Sequence, residues 1–279
     1  MPVLLMTVWL TGCVQEELGS TPSPTGNGIR FTLTVPDVKL PSVSSRTMTG
    51  TGTAKKEDEI ETVDILVFDM SKTPAVYLEC VSATGVTQDL ADNSTVSFSA
   101  VLSPTTASTC IVVVANKELD NIVPGFIKGT TTKVEAMEKM LHAQTGKWLA
   151  DGSTTDGYTR IPMYGEKVIS KITPSMDPIT GINMKRMLAR IDIRNNSATS
   201  NFTVEEVYLA NYNTTGYIAP AWNTNGQVTD PAPDTPVLPV NSGKMTEEGD
   251  AILYSVNGNT PYEGEIYTFE SIAAEDVGG

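Results

Sequence analysis

Hydrophobic and polar residues alternate sharply over residues 28–35. Ile29, Phe31, Leu33 and Val35 fall on one side, and Arg30, Thr32 and Thr34 on the other. A period of two marks a strand with one face in a core and the other in water. Strand-like runs recur at residues 62–69, 76–82, 95–102 and 110–115, then at 161–172, 184–194, 202–211 and 265–270. The run from Cys110 to Ala115 is apolar throughout, which predicts a central strand covered on both faces. One stretch changes period. Over residues 132–144, Val134, Met137, Met140 and Leu141 recur at helical spacing, and Thr132 with Glu135 makes a capping box that starts a helix. Its methionines read as core filler rather than as a binding face.

Nothing repeats at a fixed period, which argues against solenoids and propellers. Many short strands broken by Gly, Pro and Asn, with one or two short helices, predict a mostly-β fold of two sandwich domains in series. Pro174, Pro178 and Gly181 place the boundary, with domains at 28–180 and 181–279. Only three or four strand signals follow Met184, too few for a complete second sandwich, so that domain is expected to be truncated or incomplete.

The ends carry different signals. Residues 1–12 are an apolar run closing on Leu10-Thr11-Gly12, and Cys13 follows. This is the pattern of a bacterial lipoprotein signal, which places a lipid on the Cys13 thiol and the remaining chain outside the cytoplasm. No Lys or Arg precedes Cys13, a departure from the usual positively charged opening. The run falls short of the ~20 apolar residues a membrane helix needs. Residues 13–27 read as a flexible tether. Residues 36–59 are poor in large apolar side chains and long for a loop in a compact domain, with Arg46 near their middle.

Composition narrows the function. Hydrophobic residues make up 40% of the 279, enough for a real core, and the net charge is −14. That balance argues against nucleic acid, which needs clustered Lys and Arg. Beyond Cys13 the cysteines are Cys80 and Cys110, which could pair in an exported protein or stay as small buried thiols. The one histidine, His142, is expected on the polar side of the helix, and no Gly-x-Ser-x-Gly elbow accompanies it. Motifs for zinc, calcium, phosphate and dinucleotides are missing too, so neither catalysis nor a cofactor is expected. If the protein instead binds a glycan or host protein, Tyr217 and Trp222 are the candidate contacts.

Several segments stand in a telling order: residues 61–69 (Glu-Thr-Val-Asp-Ile-Leu-Val-Phe-Asp), 112–116 (Val-Val-Val-Ala-Asn), 161–165 (Ile-Pro-Met-Tyr-Gly), 185–193 (Lys-Arg-Met-Leu-Ala-Arg-Ile-Asp-Ile) and 207–211 (Val-Tyr-Leu-Ala-Asn). With the lipobox, the tether and the first strand, they resemble the fimbrillins of Bacteroidetes, the FimA/Mfa-like subunits of type V pili. The resemblance implies two transthyretin-like sandwiches, export to the outer membrane as a lipoprotein, and other fimbrial subunits as partners. It also implies a cut after Arg46 by an arginine-specific protease. The strand bearing Ile29, Phe31, Leu33 and Val35 is then lost, and a neighbour's strand takes its place. A tip or an uncleaved, lipid-retaining anchor subunit is the alternative.

Overall fold

The computed structural model describes residues 29–35, 57–88, 95–144, 146–148, 160–193, 204–229, 236–240, 251–255 and 262–271. Two sheets form the main body. In chain order, β1 (Ile29–Thr34), β2 (Val63–Asp69), β3 (Val76–Ser82), β4 (Thr84–Gln88), β5 (Thr95–Ala100) and β6 (Thr109–Ala115) come first. Helix α1 (Lys133–Lys139) follows, then β7 (Leu141–Ala143), β8 (Met163–Ile169), β9 (Ile179–Asn183) and β10 (Lys185–Arg186). One sheet has the order β4-β5-β1-β9 and the other β10-β8-β6-β2-β3.

Alternation explains the layering. Val63, Ile65 and Val67 of β2 and Ile111, Val113 and Ala115 of β6 point at the first sheet, where they meet Ile29, Phe31, Leu33, Val96 and Phe98. The intervening residues, Leu66, Phe68, Cys110, Val112 and Val114, point the other way, into a second core beneath α1. The five-stranded sheet is therefore buried on both faces, and all seven residues of β6 are buried. The apolar run at 110–115 has the central position its pattern predicts.

After β10 the chain builds β11 (Ala189–Ile193), β12 (Glu206–Leu209), β13 (Thr215–Tyr217), β14 (Ile252–Ser255) and β15 (Tyr262–Thr268). These pair as β11-β15 and β12-β14, while β13 pairs with β7. Tyr212, Ile252, Tyr254 and Ile266 make a small core of their own. Tyr267 and Phe269 reach instead into the core beneath α1.

One expectation changes here. The helix begins at its Thr132–Glu135 capping box but ends at Lys139, and residues 141–143 become β7. Ladder bonds to Thr215–Tyr217 outweigh the helical pattern there, which no local signal reveals. The segment 173–181 leads into β9, which pairs in parallel with β1. The two main sheets thus include strands up to β10, which ends at Arg186. Of the two alternatives for the cysteines, the structure has the second: Cys80 and Cys110 are free thiols. Cys80 lies opposite Leu66, and Cys110 opposite Phe68 on the other side of β2. Two strand spacings, about 9.5 Å, exceed the reach of a disulfide.

Candidate functional site

Strand β1 sits in the middle of its sheet rather than at an edge. It runs antiparallel to β5, with Ile29 opposite Ala100, Phe31 opposite Phe98 and Leu33 opposite Val96. On its other side it runs parallel to β9, with Phe31 beside Ile179 and Leu33 beside Ile182. The Phe31 and Phe98 rings stack with centroids 5.0 Å apart. Exposure of Ile29, Phe31, Leu33 and Val35 is 4%, 1%, 0% and 1%. Burying side chains of this size contributes roughly 1.5–3 kcal/mol each. The other face carries Arg30 and Thr34, both exposed, and the half-buried Thr32.

Without β1, the inward faces of β5 and β9 would be bare, and two rows of backbone donors and acceptors would lack partners. Such a slot is an apolar groove with hydrogen-bonding walls, a template for any strand of matching alternation. The far end is held by the Met184 N–H, which donates to the Thr34 carbonyl at 2.9 Å.

The connection that follows β1 returns to the described chain at Glu57 and is fastened there. Glu57 is 4% exposed. Its carboxylate accepts two hydrogen bonds from Arg190 Nη1, at 2.9 and 3.1 Å, and one from the Tyr267 hydroxyl. Arg186 donates to the Asp58 carboxylate and to the Glu57 carbonyl. Partners 128 to 210 residues apart in sequence meet here, and sequence reasoning did not find them.

The other predicted residues fall in different places. Cys13 and Arg46 lie outside the described residues. Tyr217 and Trp222 come together edge to face, with centroids 4.9 Å apart. Trp222 is partly buried and packs on the core beneath α1. Burial, and then the charge of Glu138, push the Tyr217 hydroxyl above its ordinary pKa. His142 lies on β7, not on the polar side of the helix. Its ring is 4.9 Å from that of Trp148, its Nδ1 is buried without a hydrogen-bond partner, and burial lowers its pKa to about 4. Among the described residues, no group of three His, Cys, Asp or Glu is arranged to hold a metal. No helix among them is long and apolar enough to cross a membrane.

Comparison with solved structures finds a fimbrial assembly protein from Parabacteroides distasonis, at 12% identity and TM-score 0.45 over 88% of this chain and 78% of that one. A proposed cell adhesion protein from the same species matches at 16% identity and TM-score 0.48, over 90% and 73% of the two chains. A proposed polysaccharide-binding protein from Bacteroides thetaiotaomicron matches at 12% identity and TM-score 0.34, over 68% and 60%. No curated protein matches the chain. The family model described as fimbrillin-A associated anchor proteins Mfa1 and Mfa2 matches residues 24–276. By that match, which takes in the buried β1 and every element after it, this chain belongs to the family of fimbrillin-A associated anchor proteins.

Proposed function

We propose that this protein is a structural, non-catalytic fimbrial subunit whose β1 is an exchangeable strand. In this reading the chain is exported as a lipoprotein on Cys13 and reaches the outer membrane. A cut after Arg46 frees the segment bearing β1, and a strand from another subunit enters the slot between β5 and β9. The observation that carries it is the place of β1: first in the described chain, central in its sheet and fully inserted in the core. An N-terminal strand can leave without threading any loop, and its replacement restores both ladders and the apolar burial. Membership of a fimbria-associated family supports the same setting at the cell surface.

The family's description as anchor proteins favours a second reading, in which the chain stays uncut and lipid-bound with β1 in place. Digestion of the folded chain with an arginine-specific protease separates the two. Exchange predicts one dominant cut after Arg46, absent in Arg46→Ala. It also predicts release of the 1–46 fragment when a peptide of sequence 28–35 is added in excess. A folded chain that resists at Arg46 sinks the exchange reading and leaves the anchor.

A further inference from the structure

Beneath α1 lies a cluster that strand exchange does not use. Lys133, the first residue of α1, is 1% exposed. Its Nζ is 2.6 Å from Oε2 of Glu166 on β8. The Tyr164 hydroxyl, two residues earlier on the same face of β8, donates to the same Oε2 at 2.6 Å. Oε1 faces the Val228 N–H at 3.4 Å. Cys110 borders the pair, and against the larger effect of burial the Lys133 charge favours its thiolate. The turn bridging Trp222 to Val228 covers the lysine stem so closely that a Cβ on Gly226 would lie 3.4 Å from its Cβ and Cγ. The Glu166 side chain keeps 20% exposure, enough for water to leave.

We infer that Lys133 and Glu166 join in an intramolecular amide, a covalent cross-link between α1 and β8. The buried Lys133 ammonium carries a desolvation cost that its attraction to the partly exposed Glu166 carboxylate offsets only in part. In the reaction one proton passes from Nζ to the carboxylate, leaving a free amine beside a carboxylic acid. Nζ then attacks Cδ. Charge developing on Oε1 is met by the Val228 N–H, as in an oxyanion site. Tyr164 relays a proton from nitrogen to Oε2, the Cδ–Oε2 bond breaks, and one water departs. The C–N bond replaces the C–O bond with no change of oxidation state, so no oxidant or reductant is needed.

The test is the intact mass of the full, unlipidated chain, measured under denaturing conditions when fresh and after ageing. The expected result is a deficit of one water, and digestion yields a branched peptide joining Lys133 to Glu166. Mild base leaves that peptide intact, whereas it reverses a succinimide at Asp151-Gly152 or Asp156-Gly157, which would mimic the deficit. Tyr164→Phe slows the gain of the deficit with age, and Lys133→Met abolishes it. A wild-type mass equal to that of the sequence after ageing overturns the inference. So does a deficit that maps to another site. Neither result bears on strand exchange, which is read from the Arg46 cut.

Discussion

Three groups, His142, Cys80 and Cys110, show how the environment sets chemistry one residue at a time. His142 is held near pKa 4 chiefly by burial, aided by the charge of Lys117. The unfolded chain binds its proton near pH 6.5, so between about pH 6.5 and about pH 4 the unfolded state holds more protons. Stability is therefore highest above that window and falls as the pH drops through it. Melting temperature should decline from pH 7 to pH 4, and His142→Phe should flatten that decline; an unchanged slope would mean another group sets it. The thiols follow the same logic. Burial, with the negative charges of Asp64, Asp120 and Glu79, pushes Cys80 up to about 12, and burial pushes Cys110 to about 11. Thiolate is the reactive form. In a Cys13→Ser chain at pH 8, iodoacetamide should label neither residue until denaturant is added.

Between residues and the whole molecule stands the strand, and β1 is the one whose worth is easiest to measure. Phe31→Ala removes a fully buried ring and its stacked contact with Phe98, which should cost about 3–5 kcal/mol in urea unfolding. Thr32→Ala, on the outward face, should cost about 0.5 kcal/mol or less. A similar loss for both would contradict the burial pattern. Gly165 marks a different constraint on β8: a Cβ there would sit 2.7 Å from Met184 Sδ and 2.8 Å from Ile182 Cγ2. Gly165→Ala should destabilise by about 1–3 kcal/mol through overpacking between the sheets. What the sequence reveals at this scale is whatever one strand states by itself. The inward side of β1 and the two-sided burial of β6 follow from periodicity. Strand β9, Ile-Thr-Gly-Ile-Asn, does not, because Pro178 and Gly181 read as breakers while its pairing with β1 is set 150 residues upstream. Strand β4 is short and mostly polar and carries Gly85 at a φ of +64°, so its alternation is invisible. The central place of β1, on which the candidate site depends, is a matter of pairing, and pairing has no local signature.

For the molecule as a whole, the decisive contacts are those that join the connection after β1 to the last strands. Glu57 and Asp58 bind Arg186, Arg190 and Tyr267, so the end of that connection is fixed to β10, β11 and β15. Cleavage after Arg46 would therefore free β1 without freeing residues 57 onward, and the new N-terminal segment would stay docked while the slot stood open. The clasp is nearly dry on the Glu57 side, with 5% side-chain exposure against 19% for Arg190. Removing one partner leaves the other charge buried and uncompensated, a loss of roughly 3–5 kcal/mol in a fully buried pair and less in this partly solvated one. Arg190→Met should accordingly lower stability to urea and raise hydrogen exchange in the peptide covering residues 57–62, while β1 amides keep their protection. If β1 and residues 57–62 instead lose protection together, the clasp and the strand open as one unit. The cut after Arg46 would then release more of the chain than the exchangeable strand, and a neighbour's strand would meet a disordered edge rather than a preformed groove.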